Sequence, residues 1–234
     1  MQKEISALIE GYQKFREQYF SDGNSAFTEL VRGGQQPKIL MIACSDSRVD
    51  PALIMNCEPG DLFVVRNVAN LVPPYEDDQS YHGTSAALEF GVCVLDIHHI
   101  ILFGHTQCSG IQTLLEHSSE TYGQKGFLTK WMELAKPAHD AVCDHHKDRP
   151  LEEKVILCGQ YSLINSLKNL QTFPWIATKI KEGSLSLHAW NFDMKRGLLE
   201  EYDEKQNCFK VIRSSLPLQV EEGDIQRKPH EEVC

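Results

Sequence analysis

Three short apolar runs constrain this chain most: Lys38–Ala43 (KILMIA), Asp61–Arg66 (DLFVVR) and His99–Gly104 (HIILFG). Each is nearly continuous in apolar residues rather than alternating, the pattern of a strand buried on both faces in a parallel sheet. Between the last two, Thr84–Leu95 (TSAALEFGVCVL) carries helical periodicity and is long enough for a crossover. Strands alternating with helices predict an α/β fold: a mainly parallel sheet flanked by helices. Downstream, Leu128–His146 and Glu152–Leu170 repeat with helical period on either side of Pro150. Pro174 opens a further helix, closed by Gly183. Ser186–Phe192 and Leu198–Tyr202 read as a hairpin around Lys195-Arg196-Gly197, and Cys208–Arg213 as one more strand. The sheet thus gains an antiparallel edge.

The N-terminal stretch predicts an amphipathic helix ended by Asp22-Gly23-Asn24. Ile5, Leu8, Ile9, Tyr12, Phe15, Tyr19 and Phe20 share a stripe at 3–4 spacing. Such a stripe packs either on the chain's own core or on another subunit. From Ser214 the chain is polar and acidic, with two prolines, and reads as a loosely held tail. The expected organisation is one domain over residues 1–213, with 1–34 as a helical arm, followed by the tail 214–234.

Composition narrows the classes. The formal net charge of −10 disfavours non-specific binding to nucleic acid or an anionic membrane surface. The apolar runs fall far short of the roughly 20 residues of a spanning helix. Glu4 and Glu10 interrupt what a signal peptide would need as an apolar core, so the expected compartment is the cytoplasm. Eight irregularly spaced cysteines in that compartment read as small core residues, metal ligands or reactive thiols, not as a disulfide framework.

Ligands of parallel α/β sheets sit at the carboxyl ends of strands. The first strand ends in Cys44-Ser45-Asp46-Ser47-Arg48, and the third ends at Gly104, followed by His105-Thr106-Gln107-Cys108. Alone, Cys44 reads first as a buried core thiol, and His105 as a hydrogen-bonded core or surface histidine. If the two strand ends are neighbours, Cys44, His105 and Cys108 could meet as two thiolates and one imidazole around a tetrahedral zinc. Three protein ligands with one open position is the pattern of catalytic zinc; a structural site fills all four.

These motifs, in order with Arg66-Asn67-Val68-Ala69-Asn70 and continuing through Ser109-Gly110, resemble the β-class carbonic anhydrases. The likeness runs from about Gln35 to Gly110. It extends more weakly through Ser166–Leu170 and Leu187-His188-Ala189-Trp190, and Asn70–Tyr75 is similar to the plant-type branch. The resemblance implies one Zn2+ per chain on Cys44, His105 and Cys108. It implies a catalytic dyad of Asp46 and Arg48, a substrate-binding glutamine at Gln35, and an apolar wall for CO2 from Phe63, Val68 and Phe90. Phe90 stands where that branch often has Tyr, Thr106 replaces a common Ser, and Ser109 a common Gly. An inhibitory bicarbonate pocket of Trp, Arg and Tyr, found in one branch, maps to Met41, Arg66 and Phe192, where only the arginine remains.

The implied reaction is the reversible hydration of CO2 to bicarbonate and a proton, by attack of hydroxide generated at the metal. The implied partners are CO2 and bicarbonate and a second copy of the chain, in a homodimer or dimer of dimers, with the N-terminal helix on the partner subunit. His82 is a candidate proton shuttle by its place in the chain. Two other functions compete: hydrolysis of carbon disulfide or carbonyl sulfide on the same scaffold, and a non-catalytic zinc-binding domain. The last requires a fourth protein ligand, such as Cys57 or Cys93.

Overall fold

The computed structural model describes residues 2–20, 25–78, 80–116 and 126–212. The expected helix stop at Asp22–Asn24 and the tail from Ser214 lie outside them. The three apolar runs form strands β1 (Ile39–Cys44), β2 (Leu62–Asn67) and β3 (His99–His105). The hairpin gives β4 (Ser186–Asp193) and β5 (Leu198–Asp203), and β6 (Cys208–Val211) follows. One six-stranded sheet results, in the order β2-β1-β3-β4-β5-β6. The first four strands in that order are parallel, and β5 and β6 are antiparallel at one edge.

Alternation along the strands gives each face its own core. Met41, Ala43, Ile101 and Phe103 point to one face. There they meet Ile111 of α5 (Ser109–Glu116), Met132 of α6 (Phe127–Met132), Ala138 and Val142 of α7 (Lys136–His145), and the first turns of α8 (Leu151–Leu170). Leu40, Ile42, Ile100 and Leu102 point to the other. Those residues meet Leu88 of α4 (Gly83–Glu89), the later turns of α8, and Ile176 of α9 (Pro174–Lys181). Burial on both sides is why the strands read as continuous apolar runs. Gly183, at φ 73°, ends α9 as the sequence predicts.

Two predicted helices break. The 84–95 segment is α-helical only to Glu89, then widens into a π-turn over Phe90–Val94. There Gly91 lies flat on the sheet; a Cβ on it would come within 2.7 Å of Leu40 Cδ1. The 128–146 segment splits at a 3-10 turn over Glu133–Ala135, after which Pro137 occupies the first turn of α7.

The N-terminal stripe does not dock on the chain's own core. Ile5, Leu8, Ile9 and Tyr12 of α1 (Gln2–Phe20) are exposed. Only the end of α1 packs: Phe15, Tyr19 and Phe20 surround Phe27 of α2 (Ser25–Gly33), and the Tyr19 hydroxyl donates to Glu58 at 2.8 Å.

Leu102 sits in the middle of β3 with no exposed surface. Leu102→Ala is expected to cost about 2–5 kcal/mol through lost burial and a residual cavity, read as a lower urea midpoint at unchanged slope. Leu8→Ala, on the exposed stripe, is expected to stay within about 0.5 kcal/mol in any state where α1 is solvated.

Candidate metal centre

Register decides where the chemistry lies. In the parallel pairs Cys44 stands opposite Asn67, and Ala43 opposite Phe103. The ends of β1 and β3 therefore lie side by side, and the chain leaves both toward the same end of the sheet. Cys44 closes β1, His105 closes β3, and Cys108 sits just ahead of α5. The Cys44 and Cys108 sulfurs are 3.9 Å apart, and one ligand atom from each of Cys44, His105 and Cys108 lies within 4.8 Å of the others. All three residues are buried.

The donors fit zinc in both protonation and aim. His105 Nδ1 is 2.8 Å from the Thr106 carbonyl, which only accepts, so Nδ1 carries the proton and Nε2 is bare. That Nε2 is buried and has no protein partner. A buried lone pair with no donor costs free energy unless something outside the protein meets it. Backbone amides act on both sulfurs: the Asp46 N–H lies 3.4 Å from Cys44 Sγ, and those of Ile111 and Gly110 partly offset the rise at Cys108. Without metal the two sulfurs share a proton. The hydrogen bond from Cys108 pulls the Cys44 thiol down to about 4, and the same bond, with burial, pushes Cys108 up. Among the described residues the ligand group stops at three. Cys57 and Cys93, the candidates for a fourth ligand, lie outside it; Cys57 is half-buried beyond α3 (Pro51–Ile54), and Cys93 is exposed in the π-turn.

Asp46 and Arg48, the dyad that the resemblance implies, form a bidentate pair. Arg48 Nε donates to Asp46 Oδ1 at 2.9 Å, a terminal nitrogen donates to Oδ2 at 2.7 Å, and the Arg48 N–H adds a bond to Oδ1 at 3.0 Å. The Arg48 guanidinium holds the Asp46 carboxyl well below the usual carboxylate range. Arg48 also donates to the Gln107 carbonyl at 3.0 Å, so it ties one ligand segment to the other. Gln107 presents that carbonyl from a left-handed backbone, φ 57°, an uncommon geometry of the kind that collects at functional sites.

Arg66 and Asp50 hold this loop. Arg66 donates to the carbonyls of Cys44 and Asp46 at 2.9 and 2.7 Å, and to Asp50 Oδ2 at 2.9 Å. Asp50 Oδ1 meanwhile caps α3, accepting from the Ala52 and Leu53 N–H groups. The capping half was legible as an Asp before Pro51; the grip of Arg66 depends on strand pairing and was not. The mapped bicarbonate pocket looks different in three dimensions. Met41 is core, Phe192 packs on Phe103 at 6.3 Å, and Arg66 is aimed at the loop.

The implied substrate residues separate into two places. Val68 lies beside the metal loop: a Cβ on Gly110 would come within 3.1 Å of it, and Trp131 Nε1 donates to its carbonyl at 2.8 Å. Phe63 and Phe90 form a pair 5.9 Å apart at the other end of β2. Gln35 is exposed ahead of β1, separated from Cys44 by the length of that strand, roughly 17 Å. One chain alone therefore does not bring Gln35, Phe63 and Phe90 to its own metal ligands. His82 is held by Asp78 at 2.7 Å at the start of α4.

The comparisons agree with this geometry. Residues 39–199 match the family model described as carbonic anhydrase. A carbonic anhydrase of Synechocystis sp. is 39% identical over 226 residues, covering 97% of this chain and 81% of that protein. The solved β-carbonic anhydrase CcaA superposes with a TM-score of 0.83 at 37% identity, covering 92% of this chain and 94% of that one. The chain belongs to the β-class carbonic anhydrases. A tetrameric β-carbonic anhydrase of the filamentous ascomycete Sordaria macrospora is similar at 29% identity and a TM-score of 0.73, covering 85% of this chain and 96% of that one. As in this family, the enzyme is a zinc-dependent lyase acting on CO2, and the cluster of Cys44, His105 and Cys108 fits the zinc site. Among the described residues, no helix is long and apolar enough to cross a membrane.

The shared thiol proton gives this carbonic anhydrase a thermodynamic signature. Zinc must displace it, so at neutral pH loading is expected to release about one proton from the cysteine pair, and affinity rises with pH. Calorimetry of zinc binding in buffers of different ionisation enthalpy measures that release. Cys108→Ala is expected to lose both the released proton and the one-per-chain zinc content.

Proposed function

We propose that the Asp46–Arg48 dyad orients the attacking oxygen in CO2 hydration, and that the substrate site is completed by a second copy of the chain. The observation that carries the first part is the bidentate pair beside the buried ligand cluster. Cys44, His105 and Cys108 would hold the zinc, which would supply a Lewis acid to acidify water, less strongly than at an all-imidazole site because two thiolates donate more charge.

The remaining work falls to the chain. Asp46 stays ionised at working pH, so it is an acceptor only. Its Oδ2 accepts one bond from Arg48 and keeps a lone pair for the hydrogen of the attacking oxygen. That directs the oxygen's own lone pair away from Asp46 and toward CO2. Arg48 fixes the carboxylate in place; without it Asp46 would be free to turn toward the three ligand residues instead of the substrate. Val68 gives the neutral CO2 an apolar surface next to the ligands.

Gln35, Phe63 and Phe90 are read as reaching the metal centre of the neighbouring copy, with a homodimer or dimer of dimers as the assembly. Two features support this. These residues sit at the opposite end of the sheet from their own ligands, and the α1 stripe is exposed in the single chain. A cytoplasmic setting suits the seven free cysteines among the described residues, two of which must stay reduced to bind zinc. The structural-zinc alternative is disfavoured by the three-member ligand group; turnover of carbon disulfide against CO2 separates the other.

Hydration measured by stopped flow is expected to rise from about pH 6.5 to 9.5 with no acid limb from Asp46, whose depressed pKa lies far below that range. Asp46→Asn is expected to lower hydration per zinc by about 10²-fold or more at unchanged zinc content. Unchanged hydration in that variant would remove Asp46 from the mechanism. A mixing experiment tests the shared site. Gln35→Leu and Cys108→Ala chains, each impaired alone, are expected to regain activity when unfolded and refolded together, because each mixed pair then holds one site with its metal and a partner's glutamine intact. No recovery would place Gln35 in its own chain's site.

A further inference from the structure

At the far end of the sheet from the zinc centre, two imidazoles converge on one hydroxyl. His99 starts β3, Ser186 starts β4, and the two are partners in the parallel pair. His99 Nδ1 is 2.7 Å from Ser186 Oγ, and His188 Nε2 is 3.0 Å from the same atom. The rings are 5.7 Å apart, inclined at 52°. His188 Nδ1 lies 3.0 Å from Glu201 Oε1 on β5, which also accepts from Trp190 Nε1 at 3.2 Å. His105, at the other end of β3, is roughly 20 Å away along the strand.

We propose that His99 and His188, with the Ser186 hydroxyl between them, form a second binding site for a divalent transition cation of the imidazole-binding class, such as zinc. The assignment rests on where the protons must be. The Glu201 carboxylate can only accept, so His188 carries its proton on Nδ1 and leaves Nε2 bare, facing His99. A carboxylate behind a histidine, fixing its tautomer and raising its basicity, is the arrangement found behind metal-bound imidazoles. Trp190 in turn fixes the carboxylate. A cation held between the two imidazoles needs each nitrogen at about 2.0–2.1 Å, so the Ser186 hydroxyl that now stands between them must turn aside. His99 is exposed, so its proton moves to the other ring nitrogen through solvent. Water completes the coordination.

The same atoms follow the order of a hydrolytic Ser–His–Glu triad, yet the surroundings do not serve that chemistry. The Ser186 N–H donates to the His98 carbonyl at 3.0 Å, so it cannot donate to an oxyanion, and the hydroxyl is held by two imidazoles at once.

The test uses the holoenzyme carrying one zinc per chain, titrated with Zn2+ by calorimetry. A second equivalent is expected. His99→Gln and His188→Gln are each expected to weaken it at least about tenfold, and Glu201→Gln by about tenfold, the usual effect of removing a carboxylate behind a metal-bound histidine. A parallel measurement needs no variant: added Zn2+ should protect His99 and His188 from carbethoxylation read by peptide mass spectrometry. The proposal is overturned by absence of a second equivalent, by its persistence in both histidine variants, or by zinc leaving His99 and His188 as reactive as before.

Discussion

The parallel pairing of β1 with β3 is the interaction on which the rest of this molecule depends. It is a ladder of backbone hydrogen bonds in a layer buried from both sides, and it leaves no freedom to slip. A shift by one residue would turn Met41 and Ile101 to the face now occupied by Leu40 and Ile100 and undo both cores. The ligands inherit that fixed register. Cys44 and His105 arrive at the same end of the sheet because their strands are parallel, and Cys108 follows one short loop later. The metal centre thus needs little fold of its own; it is the place where two adjacent strands stop.

What the sequence made legible follows from this. Runs such as ILMIAC and HIILFGH announce two-sided burial because burial selects residues one at a time. The ligand positions were legible for the same reason, since ends of strands are readable and zinc accepts few residue types. Other features are set by contacts between distant segments. The π-turn after Glu89 depends on Gly91 lying against Leu40, and the loop clamp depends on Arg66 of β2 reaching the carbonyl of its neighbour on β1. The apolar wall was assembled by analogy, and a list of matching residues carries no information about which end of a strand each occupies. Phe63 and Val68 are five positions apart on an extended chain, so they cannot line one small pocket of a single copy.

The two ends of β3 show how one strand serves two kinds of polar site. At His105 the imidazole is buried, its tautomer is set by a backbone carbonyl, and no hydrogen-bond partner among the described residues meets its free nitrogen. At His99 the side chain is exposed and leans on a hydroxyl of the adjoining strand. Burial makes the first a demanding site that must be filled, whereas exposure makes the second an optional one.

Asp50 carries a further consequence. One carboxylate oxygen terminates a helix and the other holds the arginine that grips the ligand-bearing loop. Each duty tolerates replacements that the other forbids: asparagine still caps, but no longer offers the guanidinium a charge. The four residues of α3 and the loop before them are therefore coupled like two doors on one latch. Fraying of that small helix loosens the backbone around Cys44, so a surface feature of no evident chemical interest sets how rigidly the reacting centre is framed.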